Sequence, residues 1–228
     1  MRSLLLTLLI ASTALLLGCA DASSGSNQSG DPEPLYEPDV DISALAEPDT
    51  ATFGGGCFWC MEPPYDEVEG VAATISGFSG GHVEHPSYDD VTAGGTGHIE
   101  VVQVIYDAEV VGYERLLDIY WRNIDPLDDG GQFCDRGAIY APVIFAHNDT
   151  QRDLAESTKA AIQERFDEEV VVPVESFDAF YPAEEYHQNF YQKNPGHYNR
   201  YRQGCGRDAR LDELWGDEAR AEHLTDAS

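Results

Sequence analysis

Lysine is almost missing from this chain. Only Lys159 and Lys193 occur, and all Lys and Arg together number 13 against 42 Asp and Glu, a formal net charge of −29 over 228 residues. With so little cationic surface nothing neutralises phosphates, which excludes nucleic acid as a partner. The acidic residues are dispersed rather than blocked, so the charge reads as a property of the whole surface. It fits a salty exterior, where ions screen the self-repulsion, better than recognition of cationic substrates. Long apolar runs are scarce too. The one at residues 4–17 is too short to span a bilayer. No internal repeat is visible, which argues against an array. Cysteine is sparse, with five residues in all.

Residues 1–19 read as a leader rather than as part of the fold. Arg2 precedes an apolar run mixed with small residues, the pattern of a secretory signal. The run ends Leu16-Leu17-Gly18-Cys19, which resembles the lipobox of bacterial lipoproteins. That resemblance implies that Cys19 becomes the lipidated first residue, and it puts the protein in the cell envelope or periplasm as a membrane-anchored lipoprotein. Residues 20–50 are dominated by Ser, Gly, Asn, Pro and Asp, with eight acidic residues and no Lys or Arg. Such a stretch cannot bury enough apolar surface to order itself and reads as a disordered acidic tether. Residues 51–216 remain as one domain with mass enough for a core, and 217–228 form a short acidic tail. Setting Cys19 aside leaves Cys57, Cys60, Cys134 and Cys205. An exported protein meets an oxidising compartment, where structural disulfides are the expectation. Four cysteines allow three pairings, and the sequence does not choose among them.

Alternation and helical periodicity predict strands at 51–53, 71–78, 99–106, 140–146 and 170–174. Helices are expected over 57–68, 113–123 and 149–166, with long polar loops at 80–97 and 125–137. Both faces of 99–106 are mostly apolar, which marks a central strand. Beyond Phe180 a helix over 183–193 is expected, stopped by Pro195 and Gly196, after which the chain wraps the surface in extended form. The order β-α-β-β-α-β is that of the split βαβ plan. The fold class is therefore α+β, a ferredoxin-like core with a long irregular C-terminal extension.

The densest chemistry lies at Gly54-Gly55-Gly56-Cys57-Phe58-Trp59-Cys60. A glycine run delivers a cysteine beside two large rings, where a helix N-terminus would favour thiolate. A buried core cysteine is the plain alternative for one Cys alone. Three glycines, a Phe-Trp pair and a second Cys favour a redox or nucleophilic site. Glu100 shares its strand face with Val102, Val104 and Tyr106. A carboxyl held near apolar groups stays protonated and donates a proton; a solvated strand end is the alternative. Tyr88, Asp135 and Tyr140 are polar or aromatic residues in or beside loops. Cys205 is flanked by Gly204 and Gly206 in a tail too flexible to need a core cysteine.

Gly56-Cys57-Phe58-Trp59-Cys60-Met61-Glu62 resembles the signature of the peptide-methionine (S)-S-oxide reductases, the MsrA family. The resemblance continues through Ser79-Gly80-Gly81, Gly97-His98-Ile99-Glu100, Gln132-Phe133-Cys134-Asp135-Arg136-Gly137, Tyr186-His187-Gln188 and Cys205-Gly206-Arg207-Asp208. It implies that Cys57 attacks the sulfoxide sulfur, Phe58 and Trp59 receive the substrate methyl group, and Glu100 protonates the departing oxygen. Tyr88 and Tyr140 would hydrogen-bond that oxygen, Asp135 would help orient substrate, and Cys205 would be the resolving thiol. The implied substrate is methionine (S)-sulfoxide in oxidised proteins. The implied reductant is an external thioredoxin-like dithiol, with no metal or organic cofactor. The sequence departs from the family at Ile139, Ala141 and Pro142, where a Gln, an Arg and a small polar residue are usual. Two rivals stand beside this reading. Cys57 and Cys60 form a CxxC pair of the kind a thiol–disulfide oxidoreductase of the cell envelope uses, and Cys57 and Cys60 with His82 and His85 would be a loosely spaced zinc set.

Overall fold

The computed structural model describes residue 36 and residues 38–220. The leader with Cys19, most of the expected tether, and the tail beyond 220 lie outside the described residues.

Strand β1 is Pro48–Gly54, followed by a 3-10 turn at Phe58–Cys60 and the single-turn helix α1 at Pro63–Asp66. Strand β2 (Val71–Ser79), helix α2 (Tyr88–Ala93) and strand β3 (Ile99–Asp107) come next, then helix α3 (Tyr113–Arg122). A two-residue ribbon, β4 (Gly131–Gln132) with β5 (Asp135–Arg136), leads through a 3-10 turn at Ala138–Tyr140 to β6 (Val143–Ala146) and helix α4 (Asp149–Gln163). Short strands β7 (Val174–Ser176) and β8 (Phe180–Pro182) precede three helices, α5 (Phe190–Lys193), α6 (Pro195–Cys205) and α7 (Arg207–Trp215). The main sheet has the order β7-β6-β1-β3-β2-β8. Its pairings are antiparallel except β6 with β7, which is parallel. The architecture is mixed α+β, and β3 lies in its middle, as its two apolar faces predict.

Helix α3 buries Tyr113, Leu116, Leu117, Ile119, Tyr120 and Trp121. This is an apolar stripe at helical spacing, and each large side chain contributes roughly 1.5–3 kcal/mol by leaving water. Phe53 of β1 stacks at 5.6 Å on Tyr65, 6.0 Å on Tyr113 and 5.1 Å on Tyr120. These rings fix the end of β1 against α3, and so fix where the glycine run begins.

Several expectations need correction. The ordered chain starts before residue 51: Pro48–Thr50 belong to β1, and the Asp107 carboxylate accepts the backbone N–H groups of Ala46 at 2.8 Å and Glu47 at 3.1 Å. Two backbone donors on one buried acid order the end of the stretch expected to be a tether. The expected helix over 57–68 is a 3-10 turn and one α turn, because Pro63 and Pro64 can only start a helix. The loop over 80–97 contains α2, whose Ser87 and Asp90 form a capping box. The C-terminal region is helical rather than irregular. Pro195 opens α6 instead of stopping the chain, since the first helical position needs no N–H. The 183–193 helix shrinks to α5. The described start of the tail, residues 217–220, is tied down at Glu218, which accepts from Arg122 at 3.0 Å and Arg165 at 2.9 Å.

Candidate active site

The site forms at the end of the sheet where β1 finishes and β3 starts. Gly56 has φ +83°, and a Cβ there would come within 2.6 Å of Gln132 Cβ. Glycine is thus required for the chain to turn from β1 into the Cys57 turn. Arg207, 1% exposed, clamps this turn from α7. Its Nη2 donates to Gly55 O at 3.1 Å and Asn123 O at 2.7 Å, and lies 3.0 Å from Met61 Sδ.

Cys57 is buried, 7% exposed, against Phe58, Phe78, Tyr88, Trp59 and Tyr201. Glu100, 1% exposed, pairs across the sheet with Phe78, and its Oε2 accepts the backbone N–H of Phe58 at 3.1 Å. The nucleophile candidate and the acid candidate are therefore one residue apart through a hydrogen bond. Burial raises Glu100 to about 8, opposed by the Phe58 N–H and aided by Asp135 and Cys60. The carboxyl is neutral at pH 7 and carries a proton to give.

The two thiols beside it share a hydrogen bond. Burial pushes Cys57 well above the ordinary thiol range, and the bond to Cys60 and nearby Glu100 act in the same direction. That bond pulls Cys60 down to about 7, against burial and with help from Arg207 and Arg202. A single thiolate shared by the pair is the state these charges favour near neutrality. The source differs from the expected helix dipole, since the turn after Cys57 is too short to supply one.

Tyr88 is the first residue of α2 and Tyr140 the last of the 3-10 turn before β6. Their hydroxyls hydrogen-bond one another, and burial with the Glu100 charge raises both, Tyr88 to about 12. Asp135, in β5, accepts the backbone N–H of Cys57, and Tyr201 donates to its Oδ2. Burial raises Asp135 against those bonds. Trp59 stacks on Phe190 at 3.7 Å and donates its indole N–H to His187 Nδ1 at 3.2 Å. Burial holds His187 down at about 4, so it is neutral. Gln188 fixes that histidine by standing in for a strand: its amide exchanges bonds with Ser76 N and O, both at 2.9 Å.

Cys57, Phe58, Trp59, Glu100, Tyr88, Tyr140 and Asp135 are thus brought together. Cys205 stands at the end of α6, bonded to Cys134 with a Cα separation of 4.9 Å, and its sulfur lies 3.9 Å from Asp135 Oδ2. Cys57 and Cys60 are free. Sequence reasoning gave no role to Tyr201, which reaches both Asp135 and Cys57. The available signal was its spacing, one helical turn before Cys205. A 3-10 turn with Cys60 N–H bonded to Cys57 O at 2.9 Å brings the two thiols together without bonding them. Among the described residues the one cluster with metal-ligand spacing is Cys134, Asp135 and Cys205, and its two sulfurs are bonded to each other. The set of Cys57, Cys60, His82 and His85 is not such a cluster. No helix among the described residues is long and apolar enough to cross a membrane.

Comparisons with known proteins agree with this chemistry. A family model described as peptide methionine sulfoxide reductase matches residues 49–219. Peptide methionine sulfoxide reductase MsrA of Listeria welshimeri is 48% identical over 144 residues, covering 62% of this chain and 81% of that protein. The MsrA of Ligilactobacillus salivarius is 49% identical over 146 residues, covering 63% and 85%. Among solved structures, reduced Mxr1 from Saccharomyces cerevisiae superposes with a TM-score of 0.64 at 29% identity, covering 71% of this chain and 93% of that one. Methionine sulfoxide reductase A of Corynebacterium diphtheriae gives 0.60 at 26% identity, covering 67% and 77%.

Proposed function

Because this chain belongs to the peptide methionine sulfoxide reductase family and reduces methionine sulfoxide through redox cysteines, we propose the following division of labour for its site. Cys57, passing its proton across the hydrogen bond to the Cys60 thiolate, attacks the sulfoxide sulfur while Glu100 gives its proton to the departing oxygen. Phe58 and Trp59 hold the substrate methyl group, Tyr88 and Tyr140 hydrogen-bond the oxygen, and Asp135 orients the substrate and the Cys57 turn. The oxygen leaves as hydroxide, then attacks the Cys57 sulfur and displaces the substrate sulfur from it, so the products are methionine and a Cys57 sulfenic acid. The observation that carries this reading is the neutral, buried Glu100 held by the N–H next to Cys57.

Resolution follows by loss of water. The Cys205 thiol, once reduced, attacks the Cys57 sulfenic sulfur to give a Cys57–Cys205 disulfide. Cys134 then attacks Cys205, freeing Cys57 and leaving the Cys134–Cys205 bond of this structure. Cys134 is exposed and open to an external thioredoxin-like dithiol, which restores both thiols. No metal or organic cofactor takes part in any step. Cys60 shares the thiolate with Cys57 before attack. The substrate is the S epimer in oxidised proteins.

The finer fold reading is a ferredoxin-like core, supported by the antiparallel order β6-β1-β3-β2 within the sheet. The envelope location and lipid anchor at Cys19 are supported by the composition of residues 1–19; mass spectrometry of the mature N-terminus tests them.

Turnover of separate methionine S- and R-sulfoxides with a dithiol tests the function. The S epimer is expected to be reduced and the R epimer left; equal rates, or none, overturn the reading. Cys205→Ser is expected to stall after one turnover with a thioredoxin-like reductant, and sustained cycling assigns resolution elsewhere. Disulfide exchange without sulfoxide reduction would favour the CxxC oxidoreductase instead.

A further inference from the structure

A cleft opens at the same end of the sheet, beside the Cys57 site. It encloses about 730 Å³, a size suited to several side chains. Ile99, Ile139, Ala141, Pro142, Val171 and Pro173 give it apolar walls, Asp129 and Glu175 are its acidic members, and no Lys or Arg lines it. Residues 171, 173 and 175 alternate along one extended stretch, so they share a side. That stretch runs into β7, the edge strand of the sheet.

The cleft and the Cys57 pocket share a wall. A Cβ on Gly54 would meet Val143 Cγ1 at 2.7 Å, Ala141 O at 3.2 Å and Ile99 Cγ2 at 3.2 Å. The ends of β1, β3 and β6 therefore converge within a side chain's width, with Cys57 three residues beyond Gly54 and Glu100 next to Ile99. The turn at Ala138–Tyr140 separates the two spaces. Tyr140 hydrogen-bonds Tyr88 beside Glu100, while its neighbour Ile139 packs against the cluster of Cys57, Phe58 and Val91 and also lines the cleft. Residues adjacent in the chain thus face adjacent spaces.

We infer that this cleft is an accessory substrate subsite, which receives apolar and basic residues flanking the methionine sulfoxide in an extended stretch of an oxidised protein. The occupant follows from three features. The cleft adjoins the Cys57 site across Ile139, which touches both. Its walls match aliphatic side chains. Apart from His82 and His98 its ionisable members are carboxylates, on a chain of net charge −29, which favours a positive residue beside an apolar one. The inference rests on the reading of the Cys57 site as the sulfoxide site, and it names the sequences that site prefers.

Blocked peptides with one methionine S-sulfoxide, flanked by Leu and Lys, Leu and Glu, or Ser and Glu, are compared with N-acetylmethionine sulfoxide. The Leu–Lys peptide is expected to exceed the Ser–Glu peptide in kcat/KM by tenfold or more, roughly the worth of one apolar side chain well placed in a pocket. The difference should lie mostly in KM. A Val171→Ser, Pro173→Ser double variant is expected to shrink the Leu-over-Ser preference several-fold, by roughly the same rule. Equal kcat/KM for all three peptides, with N-acetylmethionine sulfoxide still reduced, sinks the subsite and leaves the Cys57 assignment standing. Failure to reduce any sulfoxide removes both. A double variant that changes sedimentation but not the peptide preference makes the cleft a self-association face and overturns the inference. The peptide series on the unmodified protein decides the matter if the variant does not fold.

Discussion

Glu100→Gln keeps the size and hydrogen-bonding outline of the buried acid but removes its transferable proton. With Glu100 raised to about 8, about 90% of it is neutral at pH 7 and about 10% at pH 9. The thiol pair supplies the other limb, since its first proton leaves at about 7. Turnover of methionine S-sulfoxide should therefore rise through pH 7 and fall above pH 8. A general acid contributes roughly 10²–10⁴-fold, and Gln still donates a hydrogen bond, so a loss of about 10²-fold at pH 7 is the conservative expectation. The variant should keep the lower limb and lose the upper one. Stability moves in the opposite sense. Glu100 is raised from an ordinary 4.5, so the folded state holds a proton that the unfolded chain has released. Its contribution is complete below pH 4.5 and fades as pH rises through 8, by up to about 1.4 kcal/mol per unit. Gln has no such loss, so the variant should gain on the parent between pH 5 and 8. The assays are epimer-resolved turnover with a dithiol from acidic to alkaline pH, and thermal melting over the same range. A variant within threefold of the parent at pH 7, or one that keeps the alkaline fall, would refute the role.

Glu62→Gln tests a second buried acid, raised to about 8 by burial and outside the proposed chemistry; the same linkage should flatten stability against pH between 4.5 and 8 with little change in turnover, and an unchanged pH slope would count against it. Arg207→Met leaves the Gly55 and Asn123 carbonyls without their donor, so denaturant unfolding should show a loss on the order of 3 kcal/mol, and thiol titration should find the pair shifted upward. For the net charge of −29, the melting temperature should climb by several degrees from low to molar salt as repulsion is screened, a rough expectation; equal melting would remove the argument for a saline setting.

The catalytic cluster was readable because its signals are local or periodic. The glycines before Cys57 announce a turn, and Glu100 stands out against Val102, Val104 and Tyr106. The central strand was readable for the same reason. The C-terminal region was not, because Pro195 is compatible with stopping one helix or starting another, and only packing of α6 and α7 against the core selects the second. The Cys134–Cys205 bond joins residues 71 apart in sequence, and no pattern marks such a pairing. Thiolate sharing between Cys57 and Cys60 was hidden for a different reason. It depends on a 3-10 turn where periodicity suggested a longer helix, and on Arg207 arriving from far along the chain.

Met61, the sole methionine among the described residues, is sealed from solvent with its thioether against the Arg207 guanidinium. Among the described residues this enzyme thus exposes no copy of the lesion it mends. Peroxide should spare it while neighbouring proteins are scarred, and the mender need not queue for its own service.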